Sequence, residues 1–312
     1  MCGFPVRCEF TTIFGKLPKF GKFAHKNNYA MKDVESLERM ASQVRRDVVR
    51  MVTQAGSGHP GGSLGIADVM TALYFSVMSH NPKEWRRDAA GQDAFILSAG
   101  HLAPVYYSVL ARSGYFPVDE LSTLRRMGSR MQGHPSVSDG LPGVFQPSGS
   151  LGQGLAVASG MALSKKMAGD PGRVYVLLGD GESEEGEVWE SGMFARFHGL
   201  DNLVAFTDWN GKQIDGPVSE VAALEDLREK WLAFGWDVIE ADGNDMASVL
   251  DAFALAVSAD GKPKMILFRT EMGHGVDFMA GSHKWHGKAP NEEQCAAALG
   301  QLPETEGDFR QL

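Results

Sequence analysis

Cysteine is scarce in this chain: three in 312 residues, at Cys2, Cys8 and Cys295. Their spacing matches no metal motif and is too sparse for a disulfide framework, which fits a reducing, cytoplasmic setting. Long apolar runs are also missing. None reaches the roughly 18 residues that a membrane span needs, and no apolar stretch ahead of a small-residue cleavage site marks a secretory signal. Positive charge is in deficit, with 30 Lys and Arg against 39 Asp and Glu and a formal net charge of -9. Such a balance argues against nucleic acid and anionic membrane surfaces as partners. A phosphorylated ligand would have to be held locally, by backbone amides, a metal or a few placed basic residues. No internal repeat is visible, and no linker appears after residue 33. What is present is 43% hydrophobic residues, ample for a large core, and 22% charged residues, too few for a disordered chain.

Residues 1–32 stand apart. Within residues 1–30, Arg7, Lys16, Lys19, Lys22 and Lys26 face the single acid Glu9, with no clear period. This stretch is expected to be a poorly ordered leader. From Asp33 the pattern becomes regular, and residues 33–312 are expected to form one domain. Leu37, Met40, Ala41, Val44, Val48, Met51 and Val52 recur at helical spacing. Ser57-Gly-His-Pro-Gly-Gly62 breaks that helix, and a second is expected over Leu64–Val77. Residues 94–98, 174–178, 203–207, 236–240 and 264–269 read as short strands separated by helical stretches, with residues 128–150 as a long Gly, Pro and Ser-rich loop. Nearly all-apolar strands alternating with helices specify an α/β fold, a mostly parallel sheet with helices on both faces. Such sheets bind ligands at the carboxyl ends of their strands.

The polar residues at those ends carry the chemistry. Gly179-Asp180-Gly181 directly follows one strand, and Asn210, 30 residues on, directly follows the next. That interval holds one crossover helix, and a right-handed crossover brings the two strand ends together. A carboxylate and an amide oxygen then share one sheet edge, an environment suited to magnesium completed by water and phosphate oxygens. The flanking glycines let backbone approach a diphosphate without a Cβ in the way. Five histidines, His59, His101, His134, His283 and His286, each lie near glycine or proline on an expected loop. Together they suggest a cleft lined with imidazoles, groups that bind hydroxyls and move protons near neutral pH. Ser148-Gly-Ser-Leu-Gly-Gln-Gly154 forms a tight entry to an apolar helix.

Gly-Asp-Gly followed at this distance by Asn resembles the thiamine-diphosphate signature, and GDGESEEGEVWE with DWNGKQIDG resembles transketolase over essentially residues 33–300. The resemblance implies a thiamine-diphosphate-binding fold and a two-carbon ketol transfer from a ketose to an aldose, either of them a sugar or sugar phosphate. It implies that Asp180, Asn210 and the backbone carbonyl of Lys212 hold magnesium, or another divalent cation such as calcium or manganese. Gly179 and Gly181 flank that site, and Gly149 and Leu151 offer backbone to the aminopyrimidine or thiazolium side. Where the family often has proline, this chain has Ser150. His59 matches a substrate contact beside the thiazolium, His101 a histidine near the diphosphate and reacting centre, and His134 a substrate-hydroxyl contact. His286 matches a histidine touching the diphosphate and donor oxygens, and His283 matches more weakly. Glu185 matches an acidic residue near the subunit interface, and His25, His80, His198 and His274 remain structural or surface residues. The family's pyrimidine-binding domain, with the glutamate that activates the cofactor, has no counterpart here. The simplest reading of the resemblance is therefore a separate partner polypeptide and a heterotetramer, the alternative being a truncated gene product. The other readings are half of a 1-deoxyxylulose-5-phosphate synthase-like enzyme, a 2-oxo-acid dehydrogenase alpha chain, and a non-catalytic cofactor-binding protein.

Overall fold

The computed structural model describes residues 33–258 and 260–310. The expected leader, and His25 within it, lie outside the described residues. Helix α1 (Val34–Ala55) starts at Asp33, whose side chain accepts from Ser36 N at 2.8 Å, and ends at Gly56 with φ 62°. The first contact satisfies an amide that the helix itself cannot, and the second is a left-handed stop natural to glycine. The helix expected over Leu64–Val77 is broken. It appears as α2 (Pro60–Gly65) and α3 (Ala67–Ala72), with a wider turn over Leu73–Val77. A Cβ on Gly65 would lie 2.8 Å from the Glu271 carbonyl oxygen, so a neighbouring backbone presses against the chain beside the break at Ile66.

The remaining elements alternate. They run β1 (Ala94–Leu97), α4 (Ala103–Arg112), α5 (Gln153–Ala168), β2 (Val174–Gly179), α6 (Gly186–Phe197) and β3 (Leu203–Trp209). A hairpin of two-residue strands follows, β4 (Lys212–Gln213) with β5 (Gly216–Pro217), and then the short α7 (Val218–Val221), none of which the apolar pattern predicts. The chain closes with α8 (Leu227–Ala233), β6 (Asp237–Asp242), α9 (Met246–Ala256), β7 (Lys264–Arg269) and α10 (Glu292–Leu299). The long loop over 128–150 contains only one short 3-10 turn, Val137–Asp139.

Five strands form one parallel sheet in the order β1-β2-β3-β7-β6. Alternate residues serve its two faces. Tyr175, Leu177, Val204, Phe206, Ile266 and Phe268 pack towards α1, α3, α4, α9 and α10. Val174, Val176, Leu178, Leu203, Ala205 and Met265 pack towards α5, α6 and α8. The sheet thus has two apolar cores, as its uninterrupted apolar strands require. Edge strand β6 differs: none of its residues is fully buried, and Asp237, Glu240 and Asp242 line it. Charges of this kind blunt an open edge. Among the described residues no helix is long and apolar enough to cross a membrane.

A buried ion pair ties the first helix to the fourth and to the C-terminal segment. Asp47 is fully buried and accepts from Arg112 Nε at 2.6 Å, Arg112 Nη2 at 2.8 Å and Ser108 Oγ at 2.7 Å. The same guanidinium donates to the Gly307 carbonyl at 2.9 Å, and Arg46 reaches Asp308 at 2.7 Å. Removing one member of such a pair strands the other charge in the core. Arg112→Met is therefore expected to cost about 3–5 kcal/mol, read as a lower urea midpoint at unchanged slope.

Candidate functional site

The parallel pairing of β2 and β3 sets Gly179 opposite Asp208. Asp180 and Asn210, each just beyond its strand, are thereby brought to one edge. Asp180 is buried and accepts from the backbone amides of Gly181, at 2.8 Å, and Gly211. Asn210 Nδ2 donates to Asp208 Oδ2 at 2.8 Å, and its Oδ1 accepts from Lys212 N at 2.9 Å. Thr270, beyond β7, donates to the other oxygen of Asp208. Burial, and then the charge of Asp208, push the Asp180 carboxyl up to about 7, while burial pushes Asp208 up to about 6. Among the described residues neither carboxylate has an ion-pair partner. Two buried acids side by side without a cation make an unfavourable arrangement that a divalent ion would relieve.

Among the described residues no three His, Cys, Asp or Glu side chains gather into a self-contained metal site. The donors at hand are instead a carboxylate, an amide oxygen and nearby backbone, the hard-oxygen set that magnesium shares with water and phosphate. A divalent cation with a diphosphate fits these residues. Backbone crowding fits as well. A Cβ on Gly181 would lie 2.8 Å from the Gln213 side chain, and one on Gly100 would lie 2.6 Å from Gly149 N. Gly149, at φ 135°, sits against the ring of His134, and Leu151 stands 36% exposed in the turn before α5.

Four of the five expected cleft histidines converge. His59 lies 5.6 Å from His101, 6.2 Å from His134 and 5.7 Å from His286, measured between ring centroids. His101 and His286 are 4.9 Å apart. His283 sits on the neighbouring 3-10 turn and, among the described residues, makes no ring contact with these four. Of the others, His80 is buried against Tyr115, His198 packs on Phe194 and Phe197, and His274 pairs with Glu271 at 3.3 Å. The Nδ1 atoms of His59 and His286 and the Ser148 hydroxyl are buried without a hydrogen-bond partner. Gathered beside the histidine cluster, these atoms leave hydrogen-bonding capacity open to a polar ligand.

Three contributors are not legible from motif spacing. Asp208 is the next-to-last residue of β3, a charged residue in a mostly apolar strand two residues before Asn210, and that position could have marked it. Arg125 carries no such signal. Its guanidinium packs on Gly133, where a Cβ would lie 2.6 Å from Cζ, and its backbone holds a left-handed φ of 58°. Its charge helps lower the pKa of His59 and His134. Ile214, 61% exposed on the β4–β5 hairpin, faces Gly287, which in turn borders His59.

Desolvation, reinforced by neighbouring imidazoles, lowers the pKa of His59 to about 4 and of His101 to about 3; burial lowers His134 and His286 too. An unfolded histidine titrates near 6.5. Below that pH the unfolded chain binds protons that the folded cluster refuses, so stability falls as pH drops from about 6.5 towards 3–4. The urea midpoint is expected to be lower at pH 5.5 than at pH 7.5, and His101→Asn should flatten that difference.

Residues 36–306 match the family model described as transketolase, thiamine diphosphate binding domain. The chain is 42% identical over 274 residues to the 6-deoxy-6-sulfo-D-fructose transketolase subunit SqwG of Clostridium sp. strain MSTE9, covering 87% of this chain and 97% of that protein. It is 39% identical over 274 residues to an apulose-4-phosphate transketolase subunit of Phocaeicola vulgatus, covering 87% and 95%. The solved transketolase of Campylobacter jejuni superposes with a TM-score of 0.82 at 32% identity, over 90% of this chain and 45% of that one. The chain thus spans less than half the length of the solved transketolases it matches. With its sheet edge, its acidic pocket and its histidines in place, the chain belongs to the transketolase family, through that family's thiamine diphosphate binding domain.

Proposed function

We propose that this chain is the diphosphate-binding subunit of a two-subunit cytoplasmic transketolase acting on anionic sugars. The observation that carries this reading is a buried carboxylate pair without an ion-pair partner among the described residues, together with four clustered imidazoles, the two brought close where Gly62, three residues from His59, backs onto Asp208 Oδ2. Asp180, Asn210 and the Lys212 carbonyl would hold magnesium, or calcium or manganese in its place. The amides around Gly179 and Gly181 would receive the diphosphate. Bound there, thiamine diphosphate supplies the electron sink that lets a ketose C2–C3 bond break.

The chain's own residues do the rest. Breaking that bond requires the C3 hydroxyl to lose its proton, and a neutral imidazole at neutral pH is free to accept it. Lowered pKa values keep the cluster neutral, and the negative charge of a bound diphosphate would raise them towards the range where an imidazole is an effective base. We assign substrate-hydroxyl contacts to His59 and His134. His101 and His286, with rings at 4.9 Å, lie on the diphosphate side. Arg125 places a positive charge near His59 and His134 and suits an anionic substituent on the sugar. The names of the relatives, a sulfo-sugar and a sugar-phosphate transketolase subunit, accord with such a substrate.

Those relatives are themselves named subunits, and this chain covers nearly all of each. A pyrimidine-domain partner is the natural complement, and a heterotetramer its simplest form. Apolar side chains remain exposed on α6, including Met193 at 55% and Phe197 at 85%, towards the amino ends of the strands. Exposed apolar patches of this kind mark association surfaces.

The first test is the metal. Asp180→Ala should abolish magnesium-dependent thiamine-diphosphate binding by calorimetry, and unchanged affinity would remove the assignment. The second is proton handling. His59→Ala and His134→Ala should keep cofactor affinity within about tenfold, roughly 1.4 kcal/mol, yet lower turnover by about 10²-fold in an assay with the partner. Arg125→Gln should raise KM for a phosphorylated or sulfonated ketose more than for its neutral analogue. Equal effects on both would remove Arg125 from the substrate site. Formation of deoxyxylulose phosphate and carbon dioxide from pyruvate and glyceraldehyde phosphate would favour the synthase reading instead.

A further inference from the structure

We propose that Glu182 is a positioning residue whose buried carboxylate clamps the loop carrying Asp180 to the loop carrying Gly149 and Leu151. The two sides of the cofactor's cradle would then be set as one body before any ligand arrives. The inference rests on the reading that both loops meet the cofactor.

Glu182 lies in the 3-10 turn Gly181–Glu184 directly after the Gly-Asp-Gly motif and is 3% exposed. Its Oε2 accepts from Gly179 N at 2.9 Å, inside its own loop. Its Oε1 accepts from Gly152 N at 2.8 Å, in the loop before α5, and from the Ser98 hydroxyl at the end of β1. Ser98 Oγ in turn accepts from Gly154 N at 3.0 Å. One carboxylate and one hydroxyl thus join three chain segments, the loops bearing His101, Gly149 with Leu151, and Asp180. The fit is close on every side. A Cβ on Gly154 would lie 2.3 Å from Ser98 Cβ, and one on Gly152 would lie 2.9 Å from Glu185 Cβ.

The chemistry argues against a mere packing role. Among the described residues Glu182 has no ion-pair partner. An unpaired carboxylate in the interior carries a large desolvation cost, which three hydrogen-bond donors only partly offset. An apolar side chain would fill the volume without that cost, and Glu185, three residues on, shows that the solvent is within reach. A carboxylate does what no apolar residue can. It is an acceptor at both oxygens, so it holds amides from two loops at once, and it fixes those loops relative to each other. Pre-setting a cradle in this way reduces the ordering cost of binding.

Glu182→Gln tests this, because it keeps the shape while turning one acceptor into a donor that faces a backbone N–H. The full chain is compared by hydrogen–deuterium exchange without ligand, and by calorimetry, together with its partner subunit, with magnesium and thiamine diphosphate. Peptides over 148–156 and 176–184 are expected to exchange faster together, while those over 203–209 and 264–269 stay as in the wild type. Cofactor affinity should fall by about tenfold or more, the scale of one lost charged hydrogen bond. Uniform acceleration across the chain would overturn the inference, since that is the mark of general destabilisation. So would loosening of one loop without the other. Wild-type binding with unchanged affinity in Glu182→Gln overturns this inference alone, whereas no binding by the wild type overturns the proposed function with it. Should Glu182→Gln fail to fold, Ser98→Ala serves. It removes one donor and the acceptor for Gly154, and should loosen 148–156 and weaken the cofactor; unchanged exchange and affinity in that variant would overturn the clamp.

Discussion

The register of β2 against β3 is the constraint from which the site follows. Pairing Gly179 with Asp208 in parallel sets two strand ends level, and both run straight into acidic or amide residues. Had the strands slipped by one residue, every side chain would have changed face, and the apolar cores on both sides would have opposed it. The cores therefore hold the register, and the register holds Asp180, Asp208 and Asn210 within hydrogen-bonding reach of one another's loops. What looks like a local motif is positioned by the whole width of the sheet.

The same edge concentrates groups that would rather be in water. Asp180 and Asp208 are raised by burial, and the imidazoles are lowered by it. These opposite shifts share one cause, because desolvation disfavours charge of either sign. A diphosphate and its cation would change the balance at the acids while leaving the neutral histidines able to accept protons. The stabilising ion pairs lie elsewhere. Arg112 with Asp47 and Arg46 with Asp308 secure α1, while Lys264 with Asp237 and Asp260 caps the amino end of the sheet. Stability is thus supplied away from the edge where the unfavourable charges sit.

Much of this is legible in the sequence. Apolar strands, their order with helices, and the loop over 128–150 follow from hydrophobic pattern and turn composition. Asp180 and Asn210 follow from their places after consecutive strands, and His59, His101, His134 and His286 from their glycine and proline neighbours. Other features are not legible, for physical reasons. The break at Ile66 lies beside a close approach of the Glu271 backbone to Gly65, a contact between residues far apart in the chain. The β4–β5 hairpin is too short to show a period. His283 shares the local signals of His286 but makes no ring contact with the cluster, a difference that only the folded loop decides. Arg125 gains meaning only from the Gly133 that it packs on and the rings that it faces.

Glu182 illustrates the general point. In the run of acids from Glu182 to Glu187 its side chain is one of several carboxylates, and composition alone treats them as a solvated face. The tight turn after β2 separates them. It folds Glu182 inward towards Ser98 and Gly152 and leaves Glu185 and Glu187 exposed. A charge that enters the interior without a cationic partner must be offset by hydrogen bonds, and here those bonds come from backbone amides of separate loops. The cost of burying the charge therefore becomes a geometric link, because the carboxylate is satisfied only when the two loops stand together. Loops are ordinarily the parts of a fold that move independently. In this chain the loops that face the acidic pocket and the histidines are held to one another by a group whose own burial depends on their staying in place.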